Sequence, residues 1–141
     1  MELHFFDDPG EFLHATGRHL AEQPVMSTVV ATVAERIVRE RSAGIPWPDG
    51  VPCWFVSVIQ DGDVVGVGMR TATFGAYPLF LLPMPDEAAR ELAQVVLDRG
   101  EQVASANGAL PAVQIFCEEV AARTGGIAEV AIHTRLFELG D

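Results

Sequence analysis

Four histidines are the first residues whose side chains could ligate a metal or transfer a proton near neutral pH. His14 and His19 are five positions apart, so they lie about 140° apart around a helix, whereas metal-binding helical pairs are spaced i, i+4. His4 and His133 have no Cys, Asp or Glu partners at metal-ligand spacing. We interpret all four as surface or core histidines and predict no metal site.

Two cysteines and a few serines are the candidate nucleophiles. The chain has no Gly-x-Ser-x-Gly turn of the kind that exposes a catalytic serine. Cys117 falls on an apolar helical face and Cys53 begins an apolar strand, whereas a reactive thiol needs neighbours that stabilise its thiolate. Neither belongs to a CxxC or Cys/His spacing, so we predict two buried thiols in a reducing, cytoplasmic environment and no catalytic residue.

The segment Gly66-Val67-Gly68 is a weak candidate for a phosphate-binding loop, because it lacks a third glycine and a following helix. Glycines inside a strand more often permit a bulge or a close approach of another backbone. Trp47 stands between two prolines and could cover a pocket, but we expect this loop aromatic to pack onto the core.

The charge of the chain excludes several function classes. Its 141 residues carry 20 acids and 9 bases, a net charge of −11, and every base is arginine. The absence of lysine excludes a Schiff base and a P-loop lysine, and the acidic electrostatic field disfavours nucleic-acid binding.

The N-terminus does not resemble a signal peptide, and no apolar run is long enough to span a membrane. The length favours a single domain over residues 1–141.

The periodicity of apolar residues predicts an α/β (α+β) fold with the element order β-α-α-β-β-β-α-β-α-β. Asp8 as N-cap and Pro9 at the first helical position indicate where the first helix begins. Two strands joined by an Asp-Gly turn predict a hairpin of 53–60 with 64–71. The predicted helices are 10–22, 25–41, 86–99 (with Asp86 as its cap) and 111–124; the further predicted strands are 2–6, 77–82, about 103–106, and 127–139. The residues predicted to be mostly buried are Phe12, Val33, Phe55, Val58, Leu81, Leu92, Val96, Phe116 and Val120.

This element order and several local segments resemble the GNAT superfamily of acetyl-CoA-dependent N-acetyltransferases. The hairpin over 54–69, with its Asp61-Gly62 turn and Val65-Gly66 step, is similar to the second and third strands of that family. From end to end, the chain is similar to the N-terminal half of two-domain actinobacterial GNAT proteins. The matching segments are Phe6-Asp7-Asp8-Pro9, the stretch 81–90, Asn107-Gly108 and the stretch 135–139.

One departure from the family pattern bears on mechanism. In catalytic GNAT domains, an Arg/Gln-x-x-Gly-x-Gly/Ala turn follows the fourth strand, and its backbone N–H groups hold the coenzyme pyrophosphate at a helix N-terminus. Here the position is filled by Pro83, Met84, Pro85, Asp86 and Glu87. The prolines remove N–H donors and the acids place negative charge where an anion would bind. The single tyrosine of the chain, Tyr77, also does not correspond to the family's leaving-group tyrosine.

The resemblance therefore implies a GNAT-like domain without a cofactor, whose partner is a C-terminal catalytic GNAT half. Two alternatives stay open: a self-contained acetyltransferase that binds acetyl-CoA at an atypical site, and a stand-alone interaction or small-ligand module. We also expect self-association, with a second copy as partner, through the last strand near Ile132, Leu136 or Phe137.

Overall fold

The computed structural model describes residues 1–73 and 77–125 and the backbone of 129–130. The chain is mixed α and β with the predicted order of elements, so the predicted fold class is confirmed. The elements are β1 Glu2–Phe6, α1 Pro9–Glu22, α2 Pro24–Ser42, β2 Trp54–Gln60, β3 Asp63–Arg70, β4 Leu79–Leu81, α3 Asp86–Asp98, β5 Ser105–Gly108, α4 Ala112–Thr124 and β6 Glu129–Val130.

The strands form one sheet in the order β1-β2-β3-β4-β5-β6. Strands β1 to β4 pair antiparallel, whereas β5 is parallel to both β4 and β6. Each parallel connection contains one helix, because parallel neighbours need a crossover. The sheet is therefore mostly antiparallel, as the sequence predicts.

Local signals place the first helix and the central hairpin correctly. The Asp8 side chain accepts hydrogen bonds from the backbone N–H groups of Gly10 and Glu11, which confirms it as the N-cap of α1. In the hairpin turn, Asp61 and Gly62 have φ angles of 53° and 83°. Both angles lie in the left-handed region that two-residue hairpin turns require, so the tight turn is confirmed.

The two faces of the sheet are covered by different helix pairs. Trp54, Val56 and Val58 of β2 pack in one core cluster with α3 and α4, while Phe55 packs in a second cluster with α1 and α2. The side chains of β4 are distributed between the two clusters in the same way, because successive side chains of a strand point to opposite faces. Leu79 and Leu81 lie toward α3 and α4, and Phe80 lies toward α2.

Eight of the nine residues predicted to be buried are at most 2% exposed. The exception is Val33, which is only partly buried and packs against the edge of its cluster. The buried line of α2 runs through Val30, Ala34 and Ile37. Val33 stands beside this line on the helix and borders an open cleft.

The predicted cap of α3 and the predicted start of β4 are wrong, each for a local reason. Pro85, rather than Asp86, precedes the first turn of α3, and its carbonyl accepts the N–H groups of Ala88 and Ala89. Strand β4 begins at Leu79 rather than at 77, because Tyr77 has a φ of 55°.

Strand β5 lies two residues later than the predicted 103–106. Asn107 and Gly108 belong to the strand instead of following it, because they pair with Phe80 and Leu81 of β4. Only Glu129–Val130 of the predicted last strand is described. The proposed contact residues Ile132, Leu136 and Phe137, and also His133, lie outside the described residues.

Candidate functional site

The segment after β4, where the sequence places the family's phosphate turn, is packed against strand β3. Met84 is 8% exposed and belongs to the core cluster under α3 and α4. A Cβ atom added to Gly66 would lie 2.5 Å from the Met84 Cβ atom and 3.1 Å from the Pro83 carbonyl oxygen. Only a residue without a side chain allows this approach. The segment is thus held against the sheet instead of standing away from it as a ligand loop.

Gly66 also lies at a bulge. The register of β2 and β3 shifts between Val58 and Ile59, so that Val58 pairs with Gly66 and Ile59 with Val64. Gly68, two residues on, is held close to Leu81: an added Cβ atom would lie 2.8 Å from the Leu81 Cδ2 atom. These contacts confirm that the two glycines permit a bulge and close packing.

The N-terminus of α3 presents acids and a proline where an anion would need N–H donors. Asp86 and Glu87 are exposed in the first turn, and Pro85 contributes no N–H group. The N–H groups of Ala88 and Ala89 donate to the Pro85 carbonyl at 2.9 and 3.1 Å. These acids interact favourably with the helix dipole. Because they are negatively charged, they would repel a phosphate at the same place.

Strands β4 and β5 remain paired to the end of β4. Leu81 pairs with Gly108, and the Ala109 N–H donates to the Leu81 carbonyl at 2.8 Å. Gly108 has a φ of +130°, and a Cβ atom there would lie 1.9 Å from the Leu81 carbonyl oxygen. Within the described residues, β4 and β5 therefore do not separate before Ala109.

A buried ion pair lies at the C-terminal end of β3, on the face of the sheet that Gly66 and Gly68 also share. The Arg70 side chain is 3% exposed, and its Nη1 atom lies 2.9 Å from the Glu101 Oε1 atom. Its Nε donates to the Tyr77 carbonyl at 2.9 Å and its Nη2 to the Gln102 carbonyl at 2.7 Å. All three guanidinium nitrogens therefore bind groups of the protein, which satisfies a charge that would otherwise be costly to bury.

Aromatic and charged groups complete the surroundings of Glu101. The Trp54 Nε1 atom lies 3.1 Å from both carboxylate oxygens, and the Arg99 Nε atom lies 3.0 Å from one of them. The Arg99 guanidinium also stacks over the Phe5 ring, 4.7 Å from its centroid. A cavity of about 460 Å³ borders Arg70 and Glu101. Since both groups are occupied by one another and by their neighbours, we interpret this cluster as structural.

A second cavity lies on the other face, between α2 and the ends of β3, β4 and β5. Its volume is about 410 Å³. Met69, Phe80 and Asn107 are cross-strand neighbours and form its floor. Val29 and Val33 of α2 form one wall and Arg36 lies at its rim. We refer to this site as the α2 cleft.

The remaining residues considered from the sequence do not assemble a catalytic centre in the described ranges. Among those residues, no group of three or more His, Cys, Asp or Glu side chains could hold a metal ion. His4 is exposed and its Nε2 atom lies 2.9 Å from the Glu2 carboxylate, whereas His19 is 9% exposed. Trp47 packs against the α1 and α2 cluster as predicted, and its Nε1 donates to the Val51 carbonyl at 2.8 Å.

The two cysteines are free thiols in different surroundings. Cys117 is 1% exposed, and burial raises the pKa of its thiol to about 11. Cys53 is only partly buried, so the prediction that both thiols are buried is wrong for this residue. Burial also raises the pKa of Cys53, although Arg41, whose Nη2 atom lies 3.9 Å from the sulfur, acts in the opposite direction. Neither environment activates a thiolate.

The sequence alone does not reveal the Arg70–Glu101 pair or the α2 cleft. The two ion-pair partners are 31 positions apart and belong to different parts of the fold, so no local spacing connects them. The cleft draws on four elements, α2, β3, β4 and β5, and Asn107 stands out in the sequence only for its place beside Gly108. The pattern of apolar and polar residues along α2 does not indicate that one edge of the helix remains uncovered.

Comparison of the chain with family models, with curated proteins and with solved structures found no significant match. Within the described residues, none of the helices has the length and apolar character needed to cross a membrane.

Proposed function

We propose that this chain is a GNAT-like domain that does not itself bind acetyl-CoA and that supports a catalytic GNAT half. The proposal rests on the sequence resemblance together with one structural observation: Pro83 and Met84 of the segment 83–87 are packed against strand β3. Met84 occupies the core beside Gly66, and the strand that precedes the segment, β4, is paired with β5 to its last residue.

The chemistry of the segment supports the same conclusion. A coenzyme pyrophosphate is held by converging backbone N–H groups at a helix N-terminus. At α3 the first acidic side chains, Asp86 and Glu87, are exposed and would face such an anion.

Calorimetric titration of acetyl-CoA into the purified chain tests the proposal, with a catalytic GNAT enzyme as the positive control. We expect no saturable binding at micromolar affinity, which would correspond to about 8 kcal/mol of binding free energy. A micromolar dissociation constant would overturn the proposal. It would favour instead a self-contained acetyltransferase with an atypical coenzyme site.

The supporting role has its own test in the coding sequence that follows this chain. A further domain of about 140 residues, within the usual domain size, that carries the glycine-containing turn would identify the catalytic partner.

The α2 cleft favours a second candidate function, a stand-alone module that binds a small ligand.

A further inference from the structure

The α2 cleft exists because the helices cover only part of one row of side chains across the sheet. The row contains Phe6, Phe55, Met69, Phe80 and Asn107, each paired in register with the next. At one end, Phe12 of α1 lies on the Phe55 ring with a centroid distance of 4.7 Å. Phe80 and Asn107, at the other end, border open space instead.

The walls of the cleft are apolar, and the polar groups it contains have spare hydrogen-bonding capacity. The Thr71 hydroxyl is buried and donates at 3.6 Å to the Met69 sulfur, a weak acceptor. Within the described residues, the Asn107 side chain makes no hydrogen bond. A mostly apolar cleft with a few polar groups directed into it is the usual form of a small-molecule site.

Arg36 gives the cleft its charge preference. It is the one charged residue among the described residues that line the cleft, in a chain whose net charge is −11. Its Nε atom lies 3.9 Å from Glu40, and both side chains are substantially exposed, so this ion pair is weak. A guanidinium has five N–H donors, and its geometry matches a carboxylate that approaches from the cleft.

We propose that the α2 cleft binds small monocarboxylates with an apolar body. The carboxylate pairs with Arg36, and the apolar body lies on Phe80 against Val29 and Val33. Asn107 and Thr71 can bond a further polar atom of the ligand. This binding site does not depend on whether the chain binds acetyl-CoA, so it can be tested separately from the proposed function.

Octanoate is a suitable probe, followed by amide chemical shifts and calorimetry, with octanamide as its uncharged analogue and acetate as a carboxylate without the apolar body. We expect saturable, sub-millimolar binding of octanoate, with the largest shifts at Val33, Phe80 and Asn107. Octanamide should bind about tenfold more weakly, and acetate should not saturate the site at about 5 mM.

Arg36→Met and Arg39→Met form a matched pair, because both remove one arginine from an exposed position of α2 and Arg39 does not line the cleft. Arg36→Met should weaken octanoate binding about tenfold and leave octanamide within about twofold, whereas Arg39→Met should change neither. An absence of saturable octanoate binding, an equal loss in both variants, or shifts centred away from the cleft would each overturn the proposal.

Discussion

The two faces of the sheet differ most clearly at strand β4. On one face, Leu79 and Leu81 are fully buried beneath α3 and α4, and we call this the closed face. On the other, Phe80 borders the α2 cleft and is only partly buried. Adjacent residues of one short strand therefore experience different surroundings. The difference arises because α1 and α2 cover the β1 to β3 side of the sheet more fully than its β4 and β5 side.

Two arginines show the same difference in electrostatic terms. Arg70 on the closed face binds Glu101 and two backbone carbonyls and is 2% exposed. Arg36 on the cleft side is half exposed and meets Glu40 only at 3.9 Å. Removing a buried charge whose partners all lie inside the protein destabilises the fold, whereas a cation at the rim of a cleft can bind something else. We therefore expect the closed face to determine stability and the cleft to determine binding.

The largest effect on stability is expected from Arg70→Met. This variant leaves the Glu101 carboxylate without its main cation and two carbonyls without donors, and removal of one partner of a buried ion pair costs about 3–5 kcal/mol. Urea unfolding monitored by circular dichroism measures the loss.

Arg123→Met is the matched control, because Arg123 pairs with Glu119 on the exposed surface of α4. An exposed i, i+4 pair contributes at most about 1 kcal/mol. Equal losses in the two variants would contradict a special role for the Arg70 cluster.

The next effect is expected at the junction of β4 and β5. Gly108→Ala introduces a Cβ atom that would overlap the Leu81 carbonyl, at a φ of +130° that alanine rarely adopts. The combined overlap and backbone strain should cost about 3 kcal/mol or more. The free energy of unfolding from denaturant titration measures this cost.

Gly17→Ala is its control, because Gly17 lies within α1 and an added Cβ atom there meets nothing within 4 Å. We expect stabilisation of about 0.5–1 kcal/mol from the higher helix propensity of alanine. If Gly108→Ala were tolerated as well as Gly17→Ala, the strands could not be closed as described.

Local signals are sufficient to predict most of the fold. The Asp8 cap, the Asp61-Gly62 turn and the apolar stripes of the helices each depend on residues within a few positions of one another. Prediction fails where a distant partner decides the outcome. Asn107-Gly108 has the composition of a turn, but pairing with Phe80 and Leu81 makes it part of a strand.

The candidate sites are less predictable, for the same reason. The prolines and acids at 83–87 are visible in the sequence, but the packing of Met84 against Gly66 is not. Arg36 and Asn107 are separated by half of the chain, and only the covering of the sheet by α2 brings both to one cleft. Such a site depends on which part of the sheet the helices leave uncovered, and residue spacing does not contain that information.

The smallest expected difference between the two faces of the sheet concerns the two thiols. Cys117 belongs to the closed face, and Cys53 packs beside the other core cluster. The folded-state pKa of Cys117, about 11, lies above the ordinary value of 9.0. A raised pKa means that its contribution to stability is complete below about pH 9 and is lost as pH rises toward 11. The loss amounts to about 2.7 kcal/mol at its limit, since one pKa unit corresponds to 1.36 kcal/mol.

Unfolding free energies of the wild type and Cys117→Ala, measured from neutral pH to about pH 10.5, isolate this contribution because the other titrating groups are shared. The difference between the two proteins should be constant up to about pH 9 and then shrink. For Cys53→Ala we expect a smaller decline, because Arg41 offsets part of the rise that burial causes in the pKa of that thiol. In parallel, iodoacetamide at about pH 8 should label Cys53 in the folded chain and Cys117 only after denaturation. Labelling of both thiols at one rate, or a difference that stays constant through about pH 10.5, would show that the closed face admits solvent as readily as the other.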